Sequence, residues 1–151
     1  MEWYPHLTVA TIVEKEGKFL MVEEAQNGVQ VLNQPAGHME QHESLAEAAI
    51  RETLEETGWQ IKLEALLGFS QYTSPDNGVT YTRSTFIALP VQQMTTALDP
   101  DITAAHWMSY EDVLENSSRL RSPMVLSDLQ RYRSGENYQL SIIKHFDDLT
   151  R

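Results

Sequence analysis

Glutamates are concentrated in one short stretch of this sequence, between residues 43 and 57. Glu52 and Glu56 lie four residues apart, with Glu55 between them, so in a helix turning about 100° per residue they would occupy neighbouring positions on one face. Several carboxylate oxygens at close range suit a hard divalent cation, above all Mg²⁺, which shares its oxygen ligands with substrate phosphates. The spacing therefore indicates metal-assisted chemistry on phosphates.

A helix over residues 43–57 is predicted because most of these residues are strong helix formers and Gly58 follows in a position typical of helix ends. Arg51 is the only basic residue in it. An acidic helix is more often a solvated surface, although such a surface would usually intersperse lysines with the glutamates. The face that ends in the three carboxylates begins with apolar residues, namely Leu45, Ala48 and Ala49.

The wider pattern favours the cation site. From Gly37 the chain reads glycine, five residues, Glu43, seven residues, and then Arg51-Glu52-Thr53-Leu54-Glu55-Glu56-Thr57-Gly58-Trp59. This pattern resembles the Nudix box, Gly-x5-Glu-x7-Arg-Glu-U-x-Glu-Glu-x-Gly-U, where U is a bulky apolar residue. All the fixed positions match, and such a coincidence has a probability on the order of one in a million. Thr53 departs from the usual aliphatic residue, and we expect it to affect packing more than chemistry.

The resemblance implies a hydrolase that cuts diphosphate bonds in nucleoside diphosphate derivatives with one to several Mg²⁺ or Mn²⁺ ions. Besides binding metal, Glu52 would help to deprotonate the attacking water. An ion pair between Arg51 and Glu43 would orient the glutamates. The metal ligands implied by the resemblance are Glu52, Glu55, Glu56 and the carbonyl of Gly37.

An acidic residue outside the box often completes the metal site in this family, commonly six positions before a tryptophan. Asp101 lies six positions before Trp107 and is our candidate for a further metal ligand or base. Asp99 is a rival, and an exposed loop aspartate without a function is an equally good interpretation of either residue.

Five residues are weaker candidates for binding substrate. His38 follows Gly37 and could touch a phosphate, although an isolated loop histidine is more often solvated. Tyr72, Tyr81 and Arg83 could line a pocket for a base or another ring, although aromatic residues in strands usually belong to the core. Arg121 could contact a terminal phosphate through its forked donors, although a surface arginine is the default interpretation.

Three further stretches, residues 34–40, 120–125 and 131–140, resemble the NudJ-type bacterial phosphatases within the family. This likeness implies stepwise release of orthophosphate from nucleoside tri- and diphosphates, and also activity on hydroxymethylpyrimidine pyrophosphate. The alternatives are a different Nudix specificity, namely ADP-ribose, dinucleoside polyphosphates or oxidised nucleotides, and a nucleotide sensor without turnover. The intact glutamates argue against the sensor.

Composition restricts the partners. The net charge of −11 disfavours binding to nucleic acids and to anionic membranes, and metal ions at the carboxylates would reconcile this charge with an anionic small-molecule substrate. The absence of cysteine excludes thiolate ligands and a cysteine nucleophile. No signal peptide or membrane span is evident, so we expect a cytoplasmic protein. The sequence leaves the oligomeric state open.

The chain of 151 residues fits one domain over residues 1–151. Strands and helices are mixed without regular βαβ alternation, which predicts an α/β fold, a Nudix-like α/β/α sandwich around a mixed β-sheet. A structured loop is predicted over residues 34–38, and a last apolar contact at Ile142 and Ile143. The predicted strands are 7–13, 19–22, 29–32, 61–69 and 81–89, and the predicted further helices are 110–115 and 123–135.

Overall fold

The computed structural model describes residues 2–147. Its strands are β1 (His6–Lys15), β2 (Lys18–Gln26), β3 (Val29–Asn33), β4 (Ala36–His38), β5 (Trp59–Thr73), β6 (Thr80–Gln93) and β7 (Ile102–Ser109). Its α-helices are α1 (Leu45–Thr57), α2 (Tyr110–Glu115) and α3 (Pro123–Arg133), and two short 3-10 helices are formed by Ser117–Arg119 and Leu140–Ile142.

The strands of the described residues form one mixed sheet. Strands β1 and β6 run parallel, and β5 pairs antiparallel with β6 through its whole length. The hairpin of β1 and β2 is paired only next to its turn, at Glu14–Phe19 and Lys15–Lys18. Beyond that point β1 pairs with β4, and β2 pairs with β3 and β7. Because β1 and β2 separate, the sheet opens a cleft between them.

Helices cover both faces of the sheet. Alternate residues of a strand point to opposite faces, and the core clusters follow this rule. On one face Ile12 packs with residues of α2 and α3, and on the other Val9 packs with Ala48 and Ala49 of α1. This arrangement confirms the predicted α/β/α sandwich around a mixed sheet.

Several predicted boundaries need correction. Helix α1 begins at Leu45 and not at Glu43, because Ser44 is its N-cap and accepts a hydrogen bond from the Glu47 amide. Residues 36–38 of the predicted loop form strand β4, since three extended residues after Pro35 suffice to pair with β1. Strands β5 and β6 are longer than predicted. Of the two C-terminal isoleucines, Ile143 packs on the core and Ile142 is exposed.

None of the helices within residues 2–147 is long and apolar enough to cross a bilayer.

Candidate active site

Helix α1 carries the carboxylates and is fixed at both ends. Ser44 caps its first turn, and Gly58 adopts a left-handed conformation (φ 76°) that ends the helix, with its amide donating to the Leu54 carbonyl. Ala48 and Ala49 pack against the sheet. The same face continues toward the C-terminal end of the helix as Glu52 and Glu56, so packing the helix turns these glutamates toward the protein.

Glu56 is the most buried of the predicted metal ligands, with 8 % of its surface exposed. Its Oε1 accepts a hydrogen bond of 2.9 Å from the Ala36 amide on β4. Burial raises the pKa of Glu56 to about 8, and the nearby carboxylates of Glu24, Glu52 and Asp99 add to the shift. Such a carboxylate is costly in its charged form unless a cation balances it.

Glu52 lies against the backbone of β4. A Cβ atom on Gly37 would overlap the carboxylate of Glu52, so glycine is needed for this close approach. Burial raises the pKa of Glu52, while the hydrogen bond from Arg51 acts in the opposite direction. Gly37 therefore has a steric role beside the ligand role that the sequence predicted for its carbonyl.

Arg51 connects the remaining predicted residues of the box. Its Nε donates to Glu43 Oε2 at 2.6 Å and its Nη2 to Glu43 Oε1 at 3.0 Å. Its Nη1 donates to Glu52 at 2.9 Å and to Glu55 at 3.1 Å. Hydrogen bonds from Arg51 lower the pKa of Glu43, which also accepts from the Glu40 amide and thereby holds the turn before α1.

Of the two aspartates considered outside the box, Asp99 lies closer to the glutamates. Its amide donates to the carbonyl of Glu55 at 2.8 Å, and its charge contributes to the raised pKa values of Glu52 and Glu56. Asp101 is exposed and donates its amide to Asp99 Oδ1 at 3.1 Å. A ligand role for either aspartate stays a prediction.

The donor set fits hard divalent cations. Every side-chain atom that could bind a metal in this carboxylate group is oxygen, and repulsion from neighbouring carboxylates adds to the burial that raises the pKa values of Glu52 and Glu56, a repulsion that a bound cation would relieve. Within residues 2–147, no three acidic or histidine side chains are already arranged around one point as a closed cage. Arg51 holds two of the carboxylates by ion pairs.

A pocket of about 220 Å³ adjoins the carboxylate group, in the cleft where β1 and β2 separate. Strand β4 is shared, because Ala36 and Gly37 contact the glutamates on one side and line the pocket on the other. All five residues predicted as candidates for binding substrate line this pocket: His38, Tyr72, Tyr81, Arg83 and Arg121.

Aromatic rings form one wall of the pocket. The rings of His38 and Tyr81 lie 6.2 Å apart at their centroids, and His6 contacts both rings. Burial, together with the charges of His6 and Arg121, lowers the pKa of His38. A neutral imidazole beside a tyrosine is a surface on which a planar ring can stack.

Another part of the pocket carries charge. Arg121 forms an ion pair with Glu24 on β2, and its amide donates to the Leu32 carbonyl at 2.8 Å. Glu24, which was not predicted from the sequence, lines the pocket and contributes to the raised pKa of Glu56. No motif marks this residue, because its role depends on the separation of β2 from β1.

Arg83 lies at the floor of the pocket and is buried, with 3 % of its surface exposed. Its Nη2 donates to Asn33 Oδ1 at 3.2 Å, and its Nη1 lies 4.0 Å from Asp128 Oδ2. Neither Asn33 nor Asp128 was predicted from the sequence. A single aspartate within a helix pattern gives no signal of burial, and only the packing of α3 on the sheet reveals it.

Comparison with known proteins agrees with this geometry. Residues 4–128 match the NUDIX domain family. Phosphatase NudJ of Escherichia coli strain K12 is 43 % identical over 145 residues, which are 95 % of this chain and 93 % of that protein. Phosphatase NudJ of Shigella flexneri matches with the same identity and coverage.

A solved structure has the same fold through nearly its whole length. The NUDIX hydrolase from Nitrosomonas europaea superposes with a TM-score of 0.93 at 37 % sequence identity, over 96 % of this chain and 99 % of that one. The carboxylates on α1, the glycine beside them and the matched relatives lead to one conclusion: this chain belongs to the Nudix family of hydrolases.

Proposed function

We propose that this one-domain chain is a Mg²⁺-dependent phosphohydrolase of nucleoside tri- and diphosphates that releases orthophosphate. Hydrolase activity on phosphoanhydride bonds follows from the family. Orthophosphate release from nucleoside tri- and diphosphates is supported by the relatives named as phosphatases and by the pocket beside the carboxylate group. Hydroxymethylpyrimidine pyrophosphate is a further candidate substrate. The cytoplasmic location expected from the sequence stays a prediction.

One observation supports the proposal above all others. The carboxylate group and the pocket share strand β4, so a ligand bound in the pocket would bring its phosphates to the glutamates. Burial places Glu52 and Glu56 where uncompensated charge is unfavourable, and their oxygens suit Mg²⁺, with Mn²⁺ as a substitute.

The side chains would divide the work as follows. Glu52, Glu55, Glu56 and the Gly37 carbonyl would hold the cations, with Asp99 or Asp101 as a further ligand. Bound cations would supply positive charge to the phosphate oxygens and acidify a water molecule. Glu52, whose raised pKa favours accepting a proton, would assist in deprotonating that water.

Arg51 and Glu43 would keep the ligands in place. The paired hydrogen bonds between them fix the guanidinium, which in turn holds Glu52 and Glu55. Substrate charge would be met on the pocket side by Arg121, and His38 with Tyr72 and Tyr81 would enclose the ring.

The test is product analysis over a set of substrates with Mg²⁺: nucleoside tri- and diphosphates, ADP-ribose, a dinucleoside polyphosphate and hydroxymethylpyrimidine pyrophosphate. We expect metal-dependent release of orthophosphate from the nucleotides, and a loss of at least about a hundredfold in Glu56→Gln. Glu47→Gln is the matched control, because Glu47 is exposed on the same helix outside the carboxylate group. Pyrophosphate release or faster turnover of ADP-ribose would support a different Nudix specificity. Binding without any metal-dependent turnover would support the sensor.

A further inference from the structure

A buried polar network extends from the floor of the pocket at Arg83 into the core, and the division of work proposed above does not use it. Asp128 on α3 is fully buried, and its Oδ2 accepts hydrogen bonds of 2.7 Å from Gln34 Nε2 and from Thr85 Oγ1. Arg83 Nη1 faces the same oxygen at 4.0 Å. Burial raises the pKa of Asp128 and lowers that of Arg83.

Stability does not account for this network. A buried ion pair contributes little compared with apolar residues of the same size, because both charges lose their hydration. Three buried atoms of the network also have no hydrogen-bond partner among the described residues: Gln34 Oε1, Arg83 Nη1 and Asp128 Oδ1. A polar network kept at such a cost beside a pocket is a candidate for a functional role.

The network fixes the orientation of one pocket residue. A guanidinium has only donors, so the oxygen of the Asn33 side chain must face Arg83, whose Nη2 donates to it at 3.2 Å. The NH₂ group of Asn33 is thereby turned away from Arg83. Within residues 2–147 it has no hydrogen-bond partner, although Asn33 is 92 % buried and lines the pocket.

We propose that Asn33 determines which rings the pocket accepts, by donating its amide NH₂ to a hydrogen-bond acceptor on the ring edge, and that Arg83 and Asp128 are positioning residues that hold it in this orientation. The inference rests on the proposed function and adds a substrate class to it: nucleotides or pyrophosphates whose ring presents a carbonyl oxygen or an unprotonated nitrogen at this edge.

Charge balance supports a ring and not a phosphate at this position. Asp128 compensates the charge of Arg83, so the floor of the pocket offers a neutral donor. The cation that a phosphate can reach is Arg121, whose side chain is 40 % exposed and forms an ion pair with Glu24 beside the carboxylate group. The phosphates would therefore extend toward α1 while the ring lies over Asn33.

The test measures equilibrium affinity, which does not require turnover. The probes are methylene-bridged nucleoside diphosphate analogues in Mg²⁺, compared with analogues in which each ring acceptor in turn is replaced by C–H. We expect one replacement to weaken binding to the wild type by at least about tenfold, because a buried donor then loses its partner. In Asn33→Asp, where an acceptor replaces the donor, the same ring replacement should change the affinity by less than about threefold.

Asn77→Asp is the matched control. Asn77 also lines the pocket, but its amide nitrogen donates to the Tyr81 hydroxyl and its oxygen accepts from the Val79 amide. The substitution adds the same charge to the same pocket, so it should weaken all the analogues together and preserve the tenfold discrimination.

The role of Asp128 is tested by separating KM from kcat. Asp128→Asn should raise KM for the preferred nucleotide at least about fivefold and change kcat less than about threefold. Thr85→Val keeps the charge pair and should have a smaller effect on KM.

If Asp128→Asn does not fold, the affinity measurements on Asn33→Asp alone decide. The inference is overturned if none of the analogues binds, or if no replacement of a ring acceptor weakens binding to the wild type by threefold or more. It is also overturned if the replacement weakens binding to Asn33→Asp as much as binding to the wild type. Discriminating binding without turnover would refute the proposed function and leave the inference standing.

Discussion

Two groups of buried or half-buried charged residues border the pocket, and they differ in charge balance. Around α1, Glu24, Glu52, Glu56 and Asp99 repel one another, and burial and repulsion raise the pKa of Glu56 to about 8. Behind the pocket, one aspartate faces one arginine. Excess negative charge is relieved by cations, whereas a balanced pair serves to orient neutral hydrogen-bonding groups.

This difference separates two tasks that a phosphohydrolase must perform. The unbalanced group is suited to bind metal and to act on the phosphates of every substrate in the same way. The balanced group is suited to choose among rings without attracting phosphates to the floor of the pocket. Variants of the first should change the rate for all substrates, and variants of the second should change the preference among them.

The largest expected effect is on stability in the absence of metal. A carboxyl group whose pKa is raised on folding stabilises the protein below its unfolded pKa, and this contribution is lost as the pH rises through the folded pKa. For Glu56 the pH range runs from about 4.5 to about 8, and the loss over the whole range is on the order of 5 kcal/mol. Urea unfolding in a chelator at pH 5 and pH 8 measures it.

Glu56→Gln is the reference for this measurement, because a neutral amide cannot titrate. The free energy of unfolding of the variant should fall less between pH 5 and pH 8 than that of the wild type. Equal pH dependence in both proteins would show that Glu56 is charged and solvated in the folded state, and the contrast between the two groups would lose its basis.

The next effect is on the rate of reaction. Glu52→Gln should lower kcat by at least about a hundredfold for every substrate alike, because it removes one charged oxygen from the cations and the candidate proton acceptor. Relative rates among nucleotides with different rings should stay within about threefold. A variant that kept its rate for one ring and lost it for another would show that Glu52 belongs to substrate selection.

A smaller loss is expected from Gly37→Ala. The added Cβ would displace the Glu52 carboxylate without removing it, so we expect kcat to fall about tenfold, with the preference among rings unchanged. Gly17→Asn is a suitable control, because Gly17 is in a turn with free space around it and asparagine tolerates a positive φ. Comparable activity of Gly37→Ala and the wild type would contradict the close approach.

The same contrast explains what the sequence could predict. The glutamates of α1 are local, so helical periodicity and a spaced motif were enough to place Glu52 and Glu56 on one face of the helix, where Glu56 is buried and Glu52 half-buried. The pocket is assembled from six strands, the loop between β5 and β6, and the start of α3 with the segment before it. Residues such as Asn33 and Asp128 come together only after the sheet has formed, and no spacing along the chain indicates that they are neighbours.

The smallest effect concerns Thr53, the departure from the usual box. Its hydroxyl lies 2.8 Å from Thr11 Oγ1 and donates to the Ala49 carbonyl at 2.8 Å, on the side of α1 that packs on the sheet. Thr53→Val should lower the free energy of unfolding by about 1 kcal/mol, because Thr11 is left buried without this partner. Neither kcat nor ring preference should change, since Thr53 contacts neither charged group. Thermal unfolding and the nucleotide assay together check this, and a loss of activity greater than about threefold would mean that packing at Thr53 sets the position of the carboxylates.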